Sequence, residues 1–239
     1  MHAIAYDEIH DEIYLPVPFP QAVLVFRGAA NGEESPIRII QGPLTQMESP
    51  NRLGLDAVHN EIFVPEGDRV LVYPREANGN VAPIRVLNGP DTGLGASAVA
   101  IDPVRNLLIV AGSNRRDTTR FRIFNRTDQG NVKPKAVIGG PKSGFLNLSG
   151  PFSVYPAKGW IMAGDRGPGQ AEEMASDQSY VGVWSVNDNG DVPPRWRIGG
   201  PKGVFQMPRG VTYNAKNKEL IVSDKRQNAV LTFSMPELF

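Results

Sequence analysis

The sequence predicts an all-β fold, a five-bladed β-propeller of four-stranded antiparallel blades whose last blade lacks its outer strand. Three observations predict it. A β-rich tetrapeptide ending in an aromatic recurs at spacings of about 50 residues, closing at Phe26, Tyr73, Phe124, Trp184 and Phe233. The first four copies are followed by the same punctuation, a Gly-containing turn, a Pro-led apolar run and a Gly-Pro pair. No segment sustains a helical period, and 25 Gly with 21 Pro signal many turns.

Each element follows in order. An inner strand opens every unit: Ile4-Ala5-Tyr6-Asp7, Leu53-Gly54-Leu55-Asp56, Val99-Ala100-Ile101-Asp102, Phe152-Ser153-Val154-Tyr155 and Val211-Thr212-Tyr213-Asn214. A second strand begins at Glu12, Glu61, Leu107, Trp160 and Leu220, and the aromatic-terminated run is the third. Turn signals come next at Asn31-Gly32, Asn78-Gly79, Gln129-Gly130 and Asn189-Gly190. The fourth strand follows Pro36, Pro83, Pro134 and Pro194, and the Gly-Pro pairs at 42, 89, 140 and 200 end it. A Pro cannot donate to a ladder, so this strand belongs on a sheet edge. The blades are therefore 1–40, 51–87, 97–138, 150–198 and 209–239 of one propeller domain, and no spare N-terminal strand remains for the fifth. Small residues recur on the inner strands at Ala5, Gly54, Ala100, Ser153 and Thr212, as expected where strands crowd a propeller axis. A stacked β-solenoid is the competing architecture, but its coils are shorter than these units.

Composition excludes several classes. The 239 residues carry 25 basic and 25 acidic side chains, a net charge of zero. Nucleic-acid binding needs a basic surplus to release counterions, so no nucleic acid is expected. A polybasic membrane surface is equally absent, and no apolar run reaches a membrane span. Acids interrupt the N-terminal segment where a signal peptide needs an apolar core, so the chain reads as soluble. Without Cys there are no disulfides, thiolate metal sites or cysteine nucleophiles.

In a propeller, the loops between second and third strands share a face with the blade-to-blade connections. That face collects Glu66-Gly67-Asp68-Arg69, Ser113-Asn114-Arg115-Arg116-Asp117, Asp165-Arg166 and Asp224-Lys225-Arg226. The start of each inner strand adds His2, Asn51, Ser97, Gly150 and Arg209, with Arg52 adjacent. The expected ligand site is an axial mouth lined by Asn51, Arg52, Glu66, Asp165, Arg209 and Asp224. Its charge mix suits a carboxylate or phosphate near the arginines. Alternatively Glu66, Asp165 and Asp224, with the Asn51 carbonyl, supply oxygen ligands to Ca2+ or another divalent cation. The competing reading is that these acids cap turns and pair with neighbouring cations. Asp7, Asp56 and Asp102, with His10 and His59, sit at inner hairpin turns, where an Asp side chain bonds the turn's own amides. The segment from Gly164 to Ser179, with Glu172, Glu173 and Asp177, is the longest loop and a candidate lid or partner-binding element. No Gly-x-Ser-x-Gly elbow, His-Glu-x-x-His or phosphate loop occurs.

The last unit, Pro208-Arg209-Gly210-Val211 through Ser223-Asp224 and Asn228-Ala229-Val230, resembles an NHL-type repeat in its Pro-x-Gly start, its Asp after the second strand and its Asn before the third. The repeat pattern of the whole chain is similar to the NHL and gluconolactonase-like propeller superfamily. It departs from that pattern at Ala229, where Arg is common, and at Gly112-Ser113-Asn114, where Asp is expected. Gluconolactonase-like members hold calcium on the axis, so the resemblance implies a metal-dependent hydrolase of an ester, lactone or phosphoester as one function. The other, favoured because nothing in the motifs demands catalysis, is a non-catalytic, monomeric module that binds a small molecule or protein on its loop face.

Overall fold

The computed structural model describes residues 3–114, 117–148, 150–167 and 178–239. It is a five-bladed β-propeller. Blade one pairs β1(Ala5–Asp7), β2(Glu12–Val17), β3(Ala22–Arg27) and β4(Arg38–Gln41) in chain order. Blade two does the same with β5(Gly54–Asp56), β6(Glu61–Pro65), β7(Arg69–Pro74) and β8(Arg85–Asn88), and blade three with β9(Ala98–Asp102), β10(Leu107–Asn114), β11(Asp117–Asn125) and β12(Ala136–Ile138). Blade four holds β13(Ser153–Tyr155), β14(Trp160–Asp165), β15(Tyr180–Ser185) and β16(Trp196–Gly199). Blade five has three strands, β17(Pro208–Asn214), β18(Glu219–Asp224) and β19(Ala229–Ser234). The chain divides into two compact units, Met1–Val110 with Phe124–Pro134, and Ala111–Ile123 with Lys135–Phe239.

Within the first unit, Tyr14, Val23, Val25 and Ile40 of blade one pack on Ile62, Val64, Leu71 and Tyr73 of blade two. The opposite face of blade two, with Phe63, Val70, Val72 and Leu87, packs on Val99, Ile101, Leu108 and Phe124. Blade two is thus covered on both faces, and every residue of β6 is buried. Gly54 is small because the next inner strand is close: a Cβ there would lie 2.7 Å from Ile101 and 3.0 Å from Val99. In the second unit Ser153 Oγ likewise donates to Val211 O at 2.6 Å. The small inner positions therefore face the neighbouring blade, because strand side chains project to the two sheet faces rather than along the sheet.

The Gly-containing turns and Gly-Pro pairs form one device. Gly79 donates to Ile39 O (2.6 Å) and accepts from Gln41 N (3.1 Å), making a parallel bridge to the outer strand of blade one. Asn78 Oδ1 accepts from Ile39 N at 3.0 Å, and Asn80 Oδ1 from Leu44 N at 2.8 Å. Gly130 and Asn131 repeat this on Val86, Asn88 and Asp91, and Asn189-Gly190-Asp191 repeats it on Val137, Gly139 and Lys142. The Gly before each Pro is obligatory there. Gly42, Gly89 and Gly140 have φ of 127°, 112° and 142°, and a Cβ on each would strike Asn80, Asn131 or Asp191 at 2.5–2.6 Å. A Cβ on Gly200 would meet nothing within 4 Å.

A second device joins blades by charge. Glu12 accepts from Arg38 (2.8 and 2.7 Å), from Arg75 of the next blade (2.9 Å) and from Tyr14 Oη (2.6 Å). At the same repeat positions Glu61 pairs with Arg85 (2.7 Å) and with Arg126. In the second unit the three positions hold Trp160, Trp196 and Met235. The two indoles pack edge to face at 5.2 Å and Trp160 Nε1 donates to Leu238 O at 3.1 Å. Burial alone would raise the Glu12 pKa, but hydrogen bonds from Arg38, Tyr14 and Arg75 outweigh it and hold the carboxyl down at about 2. A depressed carboxylate contributes stability that is fully present above its ordinary value of 4.5 and is lost as pH falls toward about 2. We expect Glu12→Gln to destabilise by roughly 2–3 kcal/mol at neutral pH. Urea unfolding of variant and parent should converge as pH falls through that window, and a gap independent of pH would count against the pairing.

Candidate functional site

The carboxylates expected at the axial mouth occupy one repeat position, directly after the second strand or at its end. Each binds the backbone of the loop that enters its blade. In the first unit Glu66 accepts from Glu48 N (3.1 Å) and Ser49 N (3.2 and 3.0 Å). In the second unit Asp165, 0% exposed, accepts from Leu146 N (2.9 Å), Asn147 N (3.1 and 2.9 Å) and Gly167 N (2.8 Å). Asp224, 2% exposed, accepts from Gln206 N (2.8 Å), Met207 N (3.1 and 2.9 Å), Arg226 N (3.1 Å) and Gln227 N (3.2 Å). Burial raises the pKa of Glu66 and of Asp165 above the ordinary carboxylate values, against the lowering effect of these amides. The lone pairs that a metal would take are directed at N–H groups instead. Among the described residues no group of three or more His, Cys, Asp or Glu is arranged to hold a metal ion.

The other expected residues fall around the same loops. In the first unit Asn51 Nδ2 donates to Ser49 O and Ser49 Oγ, both at 3.0 Å, so Ser49 links Asn51 to Glu66. Arg52 Nη1 donates to Ser97 O at 2.7 Å. In the second unit Arg209 sits at a bulge in β17, between Pro208 and Gly210, and its side chain is half-buried. Its carbonyl lies so close to Gly150 that no Cβ fits there, and Gly150 itself has φ 140°. Asn51, Arg52 and Glu66 thus belong to the first unit, and Asp165, Arg209 and Asp224 to the second.

His2, Arg115, Arg116 and residues 168–177 of the candidate lid Gly164–Ser179, with Glu172, Glu173 and Asp177, lie outside the described residues. The hairpin-turn aspartates behave as turn residues. Asp7 and Asp56 accept from the His10 and His59 amides (3.0 Å each) and contact the imidazole Nδ1 atoms at 2.8 Å, and Asp102 accepts from Val104 N and Arg105 N.

Sequence reasoning missed the residues that couple the blades. Their signal was present: Arg38 and Arg85 share the phrase Pro-Ile-Arg, and Glu12 and Glu61 open their strands at the same phase. It missed too the stack of Arg197 on Tyr180, with the guanidinium carbon 4.0 Å from the ring centroid. Tyr180 Oη donates to Gly144 O at 2.8 Å, and Arg197 exerts a lowering effect on the Asp165 carboxyl. No helix among the described residues is long and apolar enough to cross a membrane.

The chain matches no family model and no curated protein. Solved structures do resemble it. The β-propeller domain of Cps50 (Swd1) from Myceliophteria thermophila superposes with a TM-score of 0.64 at 10% identity, covering 99% of this chain and 66% of that one. Hydrazine synthase from Kuenenia stuttgartiensis gives 0.61 at 11% identity, covering 92% of this chain and 54% of that one. The chain therefore spans just under two thirds of the first protein and about half of the second. At such low identity the likeness is one of fold, and the fold is a β-propeller.

Proposed function

We propose that the chain is a non-catalytic binding module of the NHL-like kind, presenting its loop face to a small anionic molecule or a protein. One observation carries the reading. The acids that a hydrolase would use, Glu66, Asp165 and Asp224, are engaged by two, three and four backbone amides of their own blades. They hold in place the loops that enter their blades. The Pro208-x-Gly210 start and the Asp224 cap support the NHL-like assignment. For a small anion, Arg209 is the anchor in the second unit, since its guanidinium has no hydrogen bond or ion pair among the described residues.

Two titrations test this. Calorimetry with calcium chloride should give no saturable heat at millimolar ion. Saturable heat that Asp165→Asn abolishes would establish the metal-dependent alternative instead. Inorganic phosphate should bind weakly, and Arg209→Ala should weaken it by about 1.5–3 kcal/mol, the range of a charge-assisted hydrogen bond. Phosphate binding unchanged in that variant would remove Arg209 from the site.

A further inference from the structure

The chain is neutral as a whole but not in its parts. The first compact unit carries 9 basic and 15 acidic residues, the second 16 and 10. Blade four gathers part of that basic surplus at one end. It is flanked within its own unit, by Phe121 of β11 on one face and by blade five on the other. Tyr180 and Ser179 tie three loops together at this end. Tyr180 Oη holds the connection from blade three through Gly144 O at 2.8 Å. Ser179 Oγ lies 3.0 Å from Arg166 O and 3.1 Å from Gln206 O, and Ser179 O accepts from Gly200 N at 3.1 Å. The loop after β14 and the connection to blade five are thus held to the same strand end. The three loops carry Lys142, Arg166 and Lys202, and Arg197 stacks on the Tyr180 ring.

These cations depart from the repeat. The residue after each Gly-Pro pair is Leu44, Asp91, Lys142 or Lys202, so lysine stands there only in the second unit. Arg197 occupies the place of Ile39, Val86 and Val137, and Tyr180 that of Ala22, Arg69 and Arg120. No other blade can form the stack, so the propeller does not require it. Nor is the charge used internally. Among the described residues the Arg197 guanidinium has no hydrogen bond or ion pair beyond its ring contact, and Arg166 Nε is buried with no acceptor. The carboxylates on these loops are already engaged, Asp165 by the amides of Leu146, Asn147 and Gly167, and Asp191 by those of Lys142 (2.7 Å) and Ser143 (3.0 Å). A guanidinium fixed on an aromatic ring with its N–H groups unused is preorganised for a carboxylate. The two connections also expose apolar side chains, Leu146 at 47% and Val204 at 57%.

We propose that this end of blade four docks a partner polypeptide through an acidic segment whose carboxylates are interspersed with aliphatic side chains. Arg197 and Arg166 take carboxylates, Lys142 and Lys202 add attraction, and Leu146 and Val204 meet the aliphatic residues. The sign of the charge selects an anionic partner. The apolar residues select a peptide over a nucleic-acid strand. Among the described residues the large exposed apolar side chains of this unit are Leu146, Val204 and Val230, with no aromatic on which a base could stack. The inference rests on the loop-face reading above and names the partner's chemistry. The two fail separately: a phosphate result that removes Arg209 leaves the peptide signal standing, and a peptide that does not bind leaves the Arg209 result untouched.

The probe is a fluorescein-labelled peptide of sequence Glu-Glu-Leu-Glu-Glu-Val-Glu-Glu, followed by fluorescence anisotropy as the chain is added. The anisotropy should rise saturably. Arg197→Ala should weaken binding at least roughly tenfold, the loss of a charge-assisted pair. Arg195→Ala is the control. Arg195 is also exposed but already pairs with Asp188 at 2.6 Å, so its removal should leave the affinity unchanged. Urea unfolding checks that both variants keep the fold. A peptide with Gln in place of every Glu should give no saturable rise. Failure of the acidic peptide to bind, equal weakening by the two arginine variants, or equal binding of the Gln peptide would overturn the proposal. So would tighter binding of a labelled oligothymidylate, since the occupant would then be a nucleic acid.

Discussion

Asp224→Ala is expected to lower the unfolding free energy by about 3–4 kcal/mol, because four charge-assisted bonds from backbone amides to one buried carboxylate are lost together. Gln206 and Met207 lead into blade five, and Met207 is 3% exposed. The Met207 amide, whose bond to the carboxylate is buried, loses its partner away from solvent once the carboxylate is gone. The change also removes the bonds that close the turn at Arg226 and Gln227. Urea unfolding followed by tryptophan fluorescence measures it. A loss below about 1 kcal/mol, the net value of one ordinary hydrogen bond, would mean that the carboxylate is not a structural clamp and would return it to the list of ligand-binding groups.

The second large effect is expected at Gly89. Gly89→Val puts a β-branched residue at φ 112° and a Cβ 2.6 Å from Asn131 Oδ1. Backbone strain and the clash together should destabilise by roughly 3–4 kcal/mol. The two contributions separate in a double-mutant cycle. Asn131→Ala removes the obstacle and should recover part of the loss, leaving the backbone strain. If the two substitutions simply add, the staple does not couple them and the close approach is not the reason for the glycine.

Much of the fold was legible because a propeller repeats its solution. The aromatic closing each third strand, the Pro opening each fourth and the Gly-Pro after it recur at one phase, so the strands and their order could be read directly. Less legible was what those signals hold together. Asn78 and Asn189 read as local turn residues, yet their amide oxygens bind backbone on the blade before, 39 and 52 positions away in the chain. A backbone N–H has no side-chain identity, so its partner leaves no trace in sequence. The same reason hid the role of Asp165 and Asp224. A carboxylate in a loop between strands looks like a rim charge until amides 17–19 residues away turn out to point at it. The small inner-strand residues were legible as a sign of crowded inner strands, and Gly54 and Ser153 each meet the next inner strand.

The charged and aromatic triads carry a consequence for how such a chain can be rearranged. Glu12 needs an arginine from the blade that follows it, and Glu61 needs the same. Trp160 and Trp196 need an apolar follower, which Met235 provides. The blades are alike in outline but carry incompatible connectors, like rail cars with two kinds of coupling. Shuffling them by recombination would seat a guanidinium against indoles or leave a carboxylate facing a methionine. The first strands a cation without its counter-ion, and the second leaves the carboxylate with only the arginine of its own blade. A library of blade permutations should therefore retain folded members chiefly where a charged blade is followed by one carrying the arginine and the Trp160 blade by one carrying an apolar residue.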